Sequence, residues 1–474
     1  MLLVRRWWRV GRLAVRTLGR VAFRKLRPAR SREAIEQRAA EDVAATLGQM
    51  KGAFMKAGQL LSFVDDAMPE HVRAALATLQ DSAPPMPAAV AASVIESSLG
   101  APPERVFRTW DPSPVAAASI GQVHRAVTRD GRDVAVKVQY PGARDVIAAD
   151  LAQLDMGRFL VPALWPKLDI AAVNAELKAR ITEELDYSIE AKNQRDFAAW
   201  YADHPFIRIP RVVDELSSDR VLTTAFDDGD RFAEFEARSS QAERDRAAEA
   251  IFRFVFRSIT DFLAFNGDPH PGNYLFGRDG SVTFVDFGVV KRLSPAARDD
   301  VIDEARLSAL DPDPVALRVA LERIGFYPPG NPLTDDEIFR FATLLWSHMT
   351  DDTPTTLTPE WSSEVVRAYL FKGEEFKRID RWGNVPVDAV ILQRITVGLL
   401  AILGRLRATA NWHRIGRELL LGEPPSTPMG EAEAAWKRSR PADGLGGAGE
   451  DLAHGVGGRL GGRVEPEPKL RRRS

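Results

Sequence analysis

Two short runs restrict this chain's fold more than anything else in it: Asp268-Pro269-His270-Pro271-Gly272-Asn273 and Asp286-Phe287-Gly288. Between them, Tyr274 to Phe276 and Val282 to Val285 alternate as two short strands closed by the turn Gly277-Arg278-Asp279-Gly280. A hairpin returns the chain to the end from which it left, so Asn273 and Asp286 are predicted at the same end of it. Turn capping explains either residue alone, and it does not explain their pairing. The apolar stretch Ala247 to Phe265 reads as a helix that delivers the chain to the first run.

A second constraint lies upstream. Gly121 to Thr128 and Asp133 to Tyr140 read as strands joined by the tight turn Arg129-Asp130-Gly131. In the second, Val134, Val136 and Val138 share one face and Ala135, Lys137 and Gln139 the other, which sets one lysine opposite a row of valines. Phosphoryl transfer on a kinase-type scaffold needs a strand lysine, a glutamate to orient it, an aspartate near the attacking hydroxyl, and an asparagine with a second aspartate to hold Mg²⁺. Lys137, Glu190, Asp268, Asn273 and Asp286 occur in that order. Val134-Ala135-Val136-Lys137, the D-x-x-x-x-N spacing and the D-F-G run keep the kinase pattern. Lys137, Glu190 and Asp268 are therefore the catalytic candidates, and Asn273 and Asp286 the metal ligands.

Two departures qualify the pattern. The usual glycine-rich phosphate loop is replaced by Ala116-Ala117-Ala118-Ser119-Ile120-Gly121-Gln122, whose Cβ atoms limit how closely backbone wraps a phosphate. His270 follows Asp268 by two residues instead of preceding it, which favours a structural role over that of a base.

Composition removes other classes. A net charge of -2 offers no basic field for nucleic acid, and the absence of cysteine removes disulfides, thiolate catalysis and Cys-ligated metals. The longest apolar candidate for a membrane span, Ile395 to Gly404, holds ten residues against the roughly 20 a span requires, and reads as a core helix. Early arginines with no apolar stretch behind them argue against a signal peptide. Residues 1–30 carry ten Arg or Lys and no acid, spaced along one helical face with Trp7 and Trp8 near its start. An anionic membrane surface is the expected partner of such a helix, and a solvated basic arm is the alternative. The expected location is cytoplasmic, with peripheral membrane contact through this arm.

Lys56-Ala57-Gly58-Gln59, the alanine-rich loop, Val136 to Gly142, Glu184-Leu185-Asp186, Asp268 to Asn273 and Asp286 to Gly288 together resemble the UbiB/AarF family of atypical kinases. The resemblance covers about residues 35–410. It implies an α+β, two-lobed protein-kinase-like fold, with an N-terminal helical K-x-G-Q extension covering the place where a protein kinase binds its substrate, and a helical C-lobe. ATPase or small-molecule kinase activity follows from that cover, and the family supports isoprenoid quinone biosynthesis and membrane-lipid homeostasis. By the family pattern, ATP or ADP with Mg²⁺ occupies the cleft. Ala116, Ala117, Ala118, Ser119, Lys137, Thr224 and Phe226 are the nucleotide contacts, and Glu190 is the partner of Lys137. The regulatory set is Lys56 and Gln59 facing Glu184 and Asp186. In one continuous helix those two acids point about 160° apart, so a kink or helix end is expected there. Ala225 stands where members often carry an acidic residue.

The predicted organisation is a basic amphipathic arm (1–30), the helical extension (31–100), an N-lobe with inserted helices (101–226), a helical C-lobe holding the catalytic loop and D-F-G (227–422), and a disordered tail (423–474). Ile209 to Leu216 and Arg220 to Phe226 are predicted as a strand pair. From Gly288 the chain passes through Val289 to Leu293 into a helix capped at Ser294-Pro295, leaving no room for a long activation segment. The preferred reading is an Mg²⁺-dependent ATPase or kinase acting on a lipid or quinone-related small molecule. A nucleotide-sensing pseudokinase that organises a complex or handles lipids is the alternative, and an aminoglycoside-type phosphotransferase is disfavoured by the K-x-G-Q segment.

Overall fold

The computed structural model describes residues 86–118, 120–143, 185–371, 376–384 and 386–440. The arm at 1–30, Lys56, Gln59, Ser119, Glu184 and residues 441–474 lie outside the described residues.

The fold is α+β. Helix α1 (Ala88–Leu99) is alanine-rich and stops where Gly100, at φ 79°, takes up the left-handed conformation and returns its N–H to the Glu96 carbonyl. Its buried Ala91, Val94 and Ile95 join Phe107, Val134, Val136 and Val138 in one cluster, so this part of the 31–100 extension packs with the sheet that follows. That sheet is antiparallel in the order β1 (Phe107–Ala118), β2 (Gly121–Thr128), β3 (Asp133–Gln139), β5 (Val221–Ala225). Helix α2 (Tyr187–Trp200) lies between β3 and the strand β4 (Ile207–Arg208).

Beyond β5, strand β6 (Asp230–Arg231) and helix α3 (Phe232–Arg238) lead into helix α4 (Gln241–Phe262). Helix α4 opens with a capping box between Ser240 and Glu243 and buries its phenylalanines in the largest core cluster. Leu263, at φ 51°, ends the helix, and the chain runs on as β7 (Ala264–Asn266), β8 (Tyr274–Phe276), β9 (Val282–Phe284) and β10 (Val290–Arg292). A second sheet has the order β4-β9-β8-β6, and β7 pairs with β10. The remainder is helical apart from the short antiparallel pair Thr355–Thr356 with Thr409–Ala410, and includes α5 (Val387–Arg405), α6 (Trp412–Leu421) and α7 (Pro428–Ser439). Among the described residues no helix is long and apolar enough to cross a membrane.

Three local expectations are corrected. Residues 209–216 pair with 220–226 over a short stretch alone, where the Val213 N–H donates to the Thr223 carbonyl and the Ala225 N–H to the Arg211 carbonyl, both at 2.8 Å. Only Val212 bridges to Thr224, and Asp214–Leu216 is a 3₁₀ turn held by the Thr223 hydroxyl donating to the Leu216 carbonyl at 2.5 Å. The helix predicted through Phe265 ends at Phe262, since β7 is needed as the partner of β10. The tail expected to be disordered from 423 instead carries α7, whose Trp436 is buried and donates its Nε1–H to the Ala202 carbonyl at 2.9 Å.

Helix α7 is also held electrostatically. The fully buried Arg253 of α4 donates to Glu249 (2.8 Å), to both oxygens of Glu418 (2.7 and 2.9 Å) and to Glu433 of α7 (2.9 Å). Arg257 adds a 3.1 Å bond to Glu433. Burial pushes the Glu433 carboxyl up, but the bond from His204 and the two guanidiniums outweigh it and bring it down to about 2.

Candidate active site

A cleft of about 830 Å³ separates the first sheet from the helical half. Its roof is Ala116, Ala117 and Ala118 of β1 with Val123, Ala135 and Lys137. Its rear wall is Leu222, Thr224 and Phe226, and its floor holds Asp268, His270, Asn273 and Asp286.

The roof is a tight hairpin in which Ala116, Ala117 and Ala118 pair with Val123, Gln122 and Gly121. Gly121 is required by close approach: a Cβ there would stand 2.4 Å from the Val138 carbonyl oxygen and 2.7 Å from the Tyr187 hydroxyl. At the rear wall the Arg125 guanidinium sits 4.4 Å above the Phe226 ring.

Lys137 projects from the face of β3 opposite the buried valines and meets Glu190 of α2, with Nζ at 2.7 and 2.8 Å from the two carboxylate oxygens and 3.4 Å from Asp286 Oδ2. Burial favours the neutral amine, but the charges of Asp286 and Glu190 outweigh it and hold Lys137 well above its ordinary pKa. The lysine is thus a fixed cation shared by two acids.

On the floor, Asn273 donates its Nδ2–H to the Asp268 carbonyl at 2.9 Å and to Asp268 Oδ2 at 3.1 Å. With the amide nitrogen committed there, Oδ1 is the atom left to coordinate. Asp286 Oδ1 accepts the Gly288 N–H at 3.0 Å. Tyr274 is buried beneath the loop, and burial, assisted by the negative charge of Asp268, raises its phenol well above the ordinary range. The His270 Nδ1 accepts the Gly272 N–H at 3.1 Å, which shapes the turn.

Mg²⁺ takes oxygen ligands, one or two from protein carboxylates and the rest from phosphates and water. The donors available here, Asp286, Asn273 Oδ1 and Asp268, are all oxygens. No group of three or more His, Cys, Asp or Glu converges among the described residues, so the set suits an ion shared with phosphate better than one caged by protein.

Asp186 caps α2, accepting from the Ser188 N–H at 2.9 Å and from its hydroxyl at 2.6 Å. A helix therefore begins just after Asp186, whose Oδ1 caps it.

Some participants were not singled out from sequence. Asn266 donates to the Asp286 carbonyl and accepts the Asp268 N–H at 3.1 Å, tying the two acidic loops together. Asn193 donates to the Phe287 carbonyl at 3.1 Å. It lies three residues beyond Glu190, a spacing that puts both on one helix face and was the available signal. Arg231 bonds across the cleft mouth to the Val115 carbonyl, and Arg405 joins the lining; their sequence surroundings carry no pattern that marks them.

Residues 78–314 match the family described as the ABC1 atypical kinase-like domain. Protein ACTIVITY OF BC1 COMPLEX KINASE 1, chloroplastic, from Arabidopsis thaliana is 35% identical over 341 residues, covering 67% of this chain and 50% of its own length. Atypical kinase COQ8, mitochondrial, from Saccharomyces cerevisiae is 34% identical over 387 residues, covering 78% of this chain and 74% of its own. A solved chain, the Rv3197–erythromycin complex from Mycobacterium tuberculosis, superposes with a TM-score of 0.60 at 30% identity, covering 82% of this chain and 97% of that one. Several curated relatives are much longer, and the chain spans 50%, 38% and 41% of three of them.

Proposed function

Since this chain belongs to the ABC1 (UbiB/AarF) family of atypical kinases, we propose that it binds an adenine nucleotide with Mg²⁺ in the cleft and transfers or hydrolyses the terminal phosphoryl group, within a protein-kinase-like two-lobed frame. The observation that carries this reading is the shared cation: Lys137 lies within hydrogen-bonding distance of both Glu190 and Asp286, on the roof of the cleft whose floor holds Asp268 and Asn273.

Each residue then has a role. Lys137, kept charged by its two acids, binds phosphate oxygens, and Glu190 keeps its ammonium turned toward the cleft. Asp286 and Asn273 Oδ1 would hold Mg²⁺, which when bound neutralises charge building on the phosphates. Asp268, anchored through Asn273, is the group available to accept a proton from an attacking hydroxyl or water. Ala116 to Ala118, Thr224 and Phe226 enclose the nucleotide.

The acceptor we favour is a lipid or quinone-related small molecule. Support comes from the resemblance, from the direct passage of β10 into the helix capped by Ser294, which leaves no long activation segment as a protein-docking platform, and from the solved relative's complex with a small organic molecule. An anionic membrane surface is the proposed partner of residues 1–30, and the K-x-G-Q pair Lys56 and Gln59 with Glu184 and Asp186 are proposed to regulate access.

Saturating ATP with Mg²⁺, at about 100 times the dissociation constant, should stabilise the fold by roughly 2.7 kcal/mol. Phosphate release should depend on Asp268 and Asp286. A melting curve unmoved by nucleotide and metal overturns the proposal, whereas binding without phosphate release that survives Asp268→Asn unchanged selects the non-phosphorylating alternative.

A further inference from the structure

Helix α2 carries Glu190, and its position decides whether Lys137 is held by Glu190 or released to Asp286. Both acids already compete for the ammonium, at 2.7 and 3.4 Å. The segment holding Asp286 is fixed to the floor independently of α2: Asn266 bonds the Asp286 carbonyl, the Gly267 N–H donates to the Val289 carbonyl at 2.7 Å, and β7 pairs with β10. What remains to be set is the distance from α2 to that fixed segment.

One face of α2 sets it. Asn193 donates to the Phe287 carbonyl at 3.1 Å, the next turn places Phe197 against the Phe287 ring at 4.9 Å between centroids, and Asp196 bonds Arg292 of β10. Asn193 makes the one hydrogen bond in this set that reaches the backbone between Asp286 and Gly288. Its backbone acceptor belongs to the residue beside the metal-ligand candidate, and its donor lies one helical turn from Glu190.

We propose that Asn193 is a positioning residue for this site. By fixing α2 to the Phe287 carbonyl it keeps Glu190 on Lys137, and so keeps Lys137 from occupying the Asp286 carboxylate that Mg²⁺ needs. The proposal rests on the nucleotide and Mg²⁺ reading above. A short helix-to-loop tether replaces the long activation segment as the device that holds the glutamate inward.

The test is Mg²⁺ titration of the full chain at fixed ATP, read as the Mg²⁺ concentration giving half of the nucleotide-induced rise in melting temperature. Partners of this kind around metal ligands are worth on the order of tenfold or more in metal affinity. Asn193→Ala should therefore raise the midpoint about tenfold, and Asn193→Asp, which sets a carboxylate against the Phe287 carbonyl, should raise it at least as much. Glu190→Gln should raise it too, and the Asn193→Ala/Glu190→Gln double variant should not exceed the larger single effect, because both release the same lysine. If Asn193→Ala does not fold, Asn193→Asp carries the same comparison. A midpoint within twofold of wild type, or effects that multiply in the double variant, overturns the proposal, even where the melting temperature without ligand falls. A wild-type chain with no Mg²⁺-dependent shift refutes the proposed function itself and is told apart by that control.

Discussion

Neutralising Glu190 tests the electrostatics of the cleft directly. The ion pair is largely withdrawn from water, with side-chain exposures of 14% for Lys137 and 5% for Glu190. At 2.7 Å and an effective dielectric near 20, the gross attraction is about 6 kcal/mol, and the Lys137–Asp286 contact at 3.4 Å keeps about 5 kcal/mol of the same kind. Desolvation opposes both, and breaking a buried pair from one side costs a net 3–5 kcal/mol or so. Glu190→Gln should fall at the low end, about 3 kcal/mol, because Asp286 still answers the ammonium. Lys137→Met should fall at the high end, about 5 kcal/mol, because it leaves two carboxylates facing one another with no cation between them. The double variant removes one charge of each sign and should lie about 2–3 kcal/mol below the sum of the singles. Urea unfolding of the full chain without ligand, followed by tryptophan fluorescence, measures all four proteins. Singles that add to the double within about 0.5 kcal/mol would show that the pair is not energetically coupled, and the assignment of Glu190 as the lysine's partner would fail.

Three further outcomes are expected. Gly121→Ala puts a Cβ 2.4 Å from the Val138 carbonyl oxygen and should cost about 1–3 kcal/mol by overpacking; a melting temperature equal to wild type would contradict the close approach at the roof hairpin. His348 is buried, and burial outweighs a backbone hydrogen bond at Leu345 and lowers its pKa to about 3 from an ordinary 6.5, so the stability of its neutral form is intact above pH 6.5 and lost as pH falls toward 3, by up to about 5 kcal/mol. Chemical unfolding across pH 7 to 4 should show that slope, and His348→Leu should flatten it. Glu433→Ala leaves Arg253 and Arg257 short of a buried carboxylate and should cost about 3–5 kcal/mol, measured by thermal unfolding, with a loss below 1 kcal/mol ruling out the network as a brace for α7.

The parts legible in the sequence were those dictated locally. Strand β3 follows from the alternating valines, the β8–β9 hairpin from its glycines, and the neighbourhood of Asn273 and Asp286 from that hairpin alone. Lys137 could be set on a face because a strand has period two. What escaped depends on particular partners met only in the folded chain. Strand β1 runs through Asp111, Pro112 and Pro114, poor strand formers, and exists because β2 offers it a ladder, interrupted by register shifts at those residues. The 209–216 segment has strand-like residues but is diverted into a 3₁₀ turn by the Thr223 hydroxyl. Helix α7 sits in a stretch whose composition argued for disorder, and only Trp436 and Glu433 meeting buried partners make it a helix of the core. The roles of Asn193 and Asn266 are set by backbone carbonyls, which no side-chain pattern announces beyond the three-residue spacing of Asn193 from Glu190.

The brace on α7 has a consequence for how the protein is made. Arg253 is fixed by Glu418 and Glu433, which lie 165 and 180 residues further along the chain. At 5–20 residues per second of synthesis, about 10–40 s pass between the emergence of the arginine and that of its last carboxylate. Through that interval helix α4 carries a row of phenylalanines and a guanidinium that has Glu249 of the same helix but neither of its two distant carboxylates, so the helical half of the protein can close only after nearly the whole described chain has left the ribosome. The nascent protein should depend on chaperone holding for that interval, and a stop codon placed after Gly422 should yield a chain that stays bound to the chaperone instead of folding.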